Sequence, residues 1–84
     1  MPTISSFYGI VIMMHLRDKE HNPPHLHAFY GNEAATFYLS NGEIFEGAFP
    51  YKAKKLVKKF IEKYQKELNE MWETGIYTKL KGLD

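Results

Sequence analysis

The sequence contains no cysteine. No disulfide framework and no thiolate metal site can form, so a metal bound here would take its ligands from His, Asp or Glu. Long apolar runs are also missing: the longest stretch, Phe7 to Met14, falls well short of the roughly 20 residues that span a bilayer. The start of the chain has no basic region followed by an apolar run, the pattern of a secretory leader, and a cytoplasmic protein with no membrane contact is the expectation. An overall charge excess is lacking too, since the net charge is +1. That balance hides an uneven spread. Residues 1–50 sum to −3 and residues 51–84 to +4, with nine lysines in the second part, a polarity that favours a charged partner over a featureless surface.

At 84 residues the chain reads as a single domain spanning 1–84. A chain of this size buries only roughly 60% of its unfolded surface, so a partner or a homodimer would matter to its stability. The first half alternates in ways that suit strands. Phe7 to Met14 is apolar on both faces, which predicts one central strand covered by a helix on one side and another chain on the other, with Gly9 tolerated at a bulge. His15 to Glu20 turns polar and reads as strand end and loop, with His15 at the rim. Leu26 to Tyr30 is a second strand, Gly31-Asn32 a turn, and Glu33 to Leu39 a third strand rich in aromatic and β-branched residues. Asn41-Gly42 suits a two-residue type I′ hairpin, which needs φ > 0 at both central positions, and Ile44 to Phe49 is the fourth strand.

Pro50 stops the sheet and suits a first helical turn. Beyond it Leu56, Val57, Phe60, Ile61, Tyr64, Leu68, Met71 and Trp72 keep a three-four spacing over about 23 residues, or roughly 35 Å of helix, ended by Gly75. The tail from Ile76 to Lys81 alternates and suits a short extra strand. The expected fold is α+β: an antiparallel meander of about four strands, with one long amphipathic C-terminal helix packed across it. Trp72 at the end of the apolar stripe reads as core, or as an anchor for a partner.

Lys52, Lys54, Lys55, Lys58 and Lys59 crowd the start of that helix, where the macrodipole is already positive, and Glu67, Glu70 and Glu73 crowd its end. The arrangement opposes helix stability. It is either a solvated face, supported by the Glu62-Lys66 pair, or an anion site in which Lys52, Lys54, Lys55 and Lys58 meet RNA, DNA or an acidic protein.

The chemistry concentrates in His21-Asn22-Pro23-Pro24-His25-Leu26-His27. Two prolines stiffen the approach to a strand, and His25 and His27, two apart, share one face about 7 Å apart along the chain. With His21 folded back, three neutral imidazoles can ligate zinc or another divalent transition metal and leave a position open for water. Without a metal, two imidazoles can divide general-base and general-acid roles in phosphodiester cleavage. Histidines beside a proline turn also serve simply as loop hydrogen-bond donors or interface residues. The H-x3-H-x-H spacing alone does not choose among these, and no HExxH or paired CxxC supports it.

The opening Met1-Pro2-Thr3-Ile4-Ser5, then Phe7-Tyr8-Gly9-Ile10, the run His21 to Ala28, Tyr30-Gly31, Gly42-Glu43 and the segment from Glu67-Leu68 to Trp72-Glu73 together resemble a small bacterial domain of unknown function, catalogued under number 4160. The likeness covers nearly the whole chain. It implies a small protein partner encoded nearby, the two looking like a toxin-antitoxin module with this member as the toxin, and it marks His21, His25 and His27 as the site without assigning a reaction. Two departures stand out: Glu20 replaces an expected Asp or other polar residue, and His15 sits where the pattern has no histidine. Two functions follow as expectations. One is a toxin-like ribonuclease acting on RNA through the histidines; the other is a non-enzymatic interaction domain, and a metal-dependent hydrolase of small molecules ranks behind both, because a lone sheet and helix leave little room for a deep pocket.

Overall fold

The sheet begins with a turn at Tyr8 and Gly9. Both have positive φ, 51° and 80°, the requirement of a two-residue type I′ hairpin. The chain therefore folds back where a single central strand is expected. Strand β1 (Thr3–Phe7) pairs antiparallel with β2 (Ile10–Met13), Phe7 opposite Ile10. The doubly apolar stretch is thus two strands meeting at a turn. Strands β3 (His25–Tyr30), β4 (Glu33–Tyr38) and β5 (Ile44–Gly47) continue the meander in the order β1-β2-β3-β4-β5, so among the described residues the sheet has five strands where about four are predicted. The computed structural model describes residues 1–15 and 23–83.

Gly31-Asn32 does form the two-residue β3–β4 turn, with Tyr30 opposite Glu33. Asn41-Gly42 does not form the predicted type I′ turn. Only Gly42 has positive φ; the Gly42 amide donates to the Tyr38 carbonyl at 2.9 Å, and Asn41 Oδ1 accepts from the Glu43 amide at 2.9 Å. An asparagine side chain that bonds the backbone two residues on supports a longer loop as readily as a tight hairpin. At the end of β5, Gly47 lies so close to β4 that a Cβ would sit 2.4 Å from the Ala34 carbonyl oxygen.

The predicted long helix is divided into α1 (Tyr51–Lys63) and α2 (Gln65–Thr74), separated at Tyr64 with φ −111° and ψ 29°. No proline lies there. The Gln65 side chain donates through Nε2 to the Leu39 carbonyl at 2.9 Å and to the Ile61 carbonyl at 3.4 Å, while Asn69 Nδ2 donates to the Gln65 backbone carbonyl at 2.7 Å. A side chain that intrudes on the helical ladder is a recognised cause of a break. The apolar stripe still runs through both helices: Val57, Phe60, Ile61, Leu68 and Met71 are buried against Ile10, Ile12, Leu26, Ala28 and Phe37 of the sheet. Burying each larger side chain contributes about 1.5–3 kcal/mol. Gly75, at φ 74°, ends α2 as its left-handed cap.

The tail is not a further strand. It runs beside β1, held by the Leu80 amide on the Ile4 carbonyl at 2.8 Å, the Tyr77 hydroxyl on the Thr3 carbonyl at 2.9 Å and the Tyr64 hydroxyl on the Lys81 carbonyl at 2.7 Å. Both helices lie on one side of the sheet. Among the described residues, no helix is long and apolar enough to cross a membrane.

Candidate functional site

Alternation along β3 sends Leu26 and Ala28 to the helix side and His25, His27 and Phe29 to the other. The register then builds a row across the helix-free face: Met13 opposite His27, His27 opposite Thr36, Thr36 opposite Glu46. Val11, Phe29 and Ala34 form the adjoining row, and His25 pairs with Tyr38 on the far side.

His25 is only 6% exposed. Its Nδ1 lies 2.9 Å from the Pro23 carbonyl oxygen, and because that oxygen can only accept, Nδ1 carries the proton. The second proline-flanked carbonyl therefore fixes the tautomer. The ring packs 5.0 Å from Trp72, 5.6 Å from Phe45 and 5.2 Å from His27, centroid to centroid. Phe45 in turn stacks on Tyr38 at 4.5 Å. His27 is half-buried, with Nδ1 3.4 Å from Thr36 Oγ1, and its ring meets His15 edge-on at 5.4 Å.

His25 and His27 are thus together, as their spacing predicts. His21, the remaining member of the expected site, lies outside the described residues, as does Glu20. His15, placed at the rim by sequence, belongs beside His27. Its parity with Val11 and Met13 carries that information, once β2 is recognised as pairing with β3. Among the described residues, no group of three or more His, Cys, Asp or Glu is arranged to hold a metal ion. The hollow beside the cluster, lined by His27, Phe29, Ala34, Thr36, Glu46 and Gly47, measures about 210 Å³. Pockets for small ligands usually measure about 300–1,000 Å³.

The lysines are elsewhere. Lys52 lines a groove of about 660 Å³ with Tyr8, Ile10, Tyr30, Tyr51 and Leu56, at the opposite end of β3 from His25. Lys54 and Lys55 place Nζ 5.8 and 5.4 Å from the Tyr51 ring centroid, within cation–π range. The first turn of α1 has no acidic residue, and Pro50 before it offers no side-chain cap. Lys58, one turn on, donates to Glu43 Oε2 at 2.8 Å. That hydrogen bond and the charge of Lys58 hold the Glu43 carboxyl below its ordinary pKa, and the same contacts raise that of Lys58.

Compared with known proteins, residues 9–73 match the family model described as Domain of unknown function (DUF4160). The chain belongs to this family. The DUF4160 match takes in all four histidines and every α1 lysine, and leaves outside it β1 and the tail that lies along β1. No curated protein and no solved structure matches the chain.

Proposed function

We propose that this DUF4160 member is a non-enzymatic interaction domain that pairs with a small protein, encoded nearby, through the helix-free face of its sheet. One observation carries the reading. The outward positions of β2, β3 and β4 that α2 leaves uncovered are Val11, Met13, His27, Phe29, Ala34, Thr36 and Tyr38, with no Lys, Arg, Asp or Glu among them, while His25 at their margin is closed off by Trp72. A solvated face of an antiparallel sheet normally alternates polar residues outward. Here Glu46 on β5 is the charged residue that meets the row, at its margin. An apolar, aromatic and imidazole-bearing face of this kind is suited to burial against another protein.

The test is light scattering of the chain with the neighbouring small protein, alone and mixed. A defined complex that Met13→Glu and Phe29→Glu abolish, with the circular dichroism of the chain unchanged, is expected. A homodimer lost in the same variants would keep the face and replace the partner. A monodisperse monomer that neither binds nor is stabilised by the neighbour would overturn the reading.

A second reading is a toxin-like action on RNA by His21, His25 and His27, with or without zinc. What favours it is the adjacency of His25 and His27, with His15 beside them. It requires RNA cleavage, or growth inhibition, that His25→Ala or His27→Ala removes. Elemental mass spectrometry of chelator-free protein separates the metal-dependent from the metal-free form.

A further inference from the structure

We propose that the groove between the β1–β2 turn and the start of α1 binds single-stranded nucleic acid, one base stacking among Tyr8, Tyr30 and Tyr51 and its phosphate lying at Lys52. This site is independent of the sheet-face pairing, since the two surfaces lie on opposite sides of the sheet.

Three separate elements each bring a tyrosine to this groove: the turn, the end of β3 and the first residue of α1. Tyr8 is 56% exposed, Tyr30 39% and Tyr51 67%. Core packing does not account for such rings. Neither does the turn, because type I′ positions favour Asn and Gly, whereas Tyr8 holds a φ of 51°. Ile10 and Leu56 supply apolar wall, and about 660 Å³ is ample for a base with its sugar. Phenol rings accept the flat face of any base, so such a platform is tolerant of sequence.

The charge around the rings is of the matching sign. Lys52 is part of the wall, Lys54 and Lys55 flank Tyr51, and the first turn of α1 has no acid to neutralise them. Lys58 is excluded from this set by its bond to Glu43. Aromatic rings interleaved with lysines form the usual stacking platform and electrostatic groove for single strands. A duplex, whose bases are already stacked on each other, offers no free face to the three rings.

The experiment is fluorescence anisotropy of the full chain with a labelled single-stranded RNA 12-mer. A single-stranded DNA of the same sequence, the RNA duplex and adenosine monophosphate serve as competitors. Both single strands compete and the duplex does not. Tyr51→Ala and Tyr8→Asn each weaken binding by about tenfold. Tyr8→Asn places a favoured residue in the turn, so its melting temperature stays at or above the parent's and lost binding cannot be ascribed to misfolding. Lys52→Gln lowers the slope of log affinity against log salt by about one. Met13→Glu leaves binding unchanged, which separates failure of the sheet-face reading from failure of this one.

Strand affinity indifferent to both tyrosine variants would reduce the interaction to diffuse lysine charge and overturn the stacking site. Absence of binding even at low salt would do the same. Competition by adenosine monophosphate at the strand's own concentration would make a free nucleotide the occupant instead and overturn the assignment to a strand.

Discussion

The two sides of β3 follow different rules. Leu26 and Ala28 are wholly buried under the helices, where volume decides which residue fits; of the residues on the other side, His25 is closed off by Trp72 of α2, whereas His27 and Phe29 stay half-buried. A core position is constrained by its neighbours in the same chain. An outward position that is nonetheless apolar or aromatic points to constraint from outside the chain.

That contrast can be broken most forcefully from the helix side. Phe60→Ala, which empties the contact with Phe7 at 5.1 Å, should cost about 3–5 kcal/mol, and Leu26→Ala about 2–5 kcal/mol, in urea unfolding. His27→Ala, only one residue from Leu26, should cost about 1 kcal/mol or less. Equal losses at Leu26 and His27 would mean that the open face is a second core, and the comparison would fall.

Gly47→Ala comes next. A methyl group 2.4 Å from the Ala34 carbonyl oxygen, on a backbone at φ 88°, should cost about 1–3 kcal/mol and loosen β5 from β4. Hydrogen exchange should then show faster amides in β5 than in β2, which tests whether the open face frays from its β5 margin. Gln65→Leu removes the donor from the Leu39 and Ile61 carbonyls and should cost about 1–3 kcal/mol. A neutral result would show that the break at Tyr64 is imposed by packing alone.

The smallest effect concerns the exposed Glu43–Lys58 pair. Glu43 has a lowered folded pKa, so its contribution is present above its ordinary value of 4.5 and disappears as pH falls through the folded value. Lys58 has a raised folded pKa; its contribution is present below its ordinary value of 10.5 and disappears as pH rises through the folded value. Thermal melts of the parent and Glu43→Gln should differ slightly at neutral pH and converge in strong acid and strong base. A difference that persists in acid would assign Glu43 a role other than this pair.

The sequence makes the helix stripe legible because Val57, Phe60, Ile61, Leu68 and Met71 share one periodicity and one destination. It misleads at the turns. Asn41-Gly42 carries the stronger type I′ signal, yet Tyr8-Gly9 adopts that geometry, because pairing Phe7 with Ile10 puts both on the core side. The break at Tyr64 is invisible to periodicity, since the side chain beside it, Gln65, bonds to Leu39, a residue of the loop after β4 that no local pattern links to the helix. At the site, His25 and His27 follow from strand parity alone. His15 requires knowing which strand β2 pairs with, and the tyrosine groove joins residues 8, 30 and 51, which no local pattern connects.

The tail along β1 limits how copies of this molecule can associate. With Leu80 and Tyr77 bonded to the carbonyls of Ile4 and Thr3, that margin of the sheet is already occupied, and among the described residues β5 is the strand left at the other margin. Growth of a continuous sheet from molecule to molecule needs two adhesive margins, one to receive and one to offer. With one of them stopped, edge pairing ends at two copies related by a twofold axis. The last eight described residues act as a chain terminator, in the polymer chemist's sense, against propagation of the sheet into a fibre.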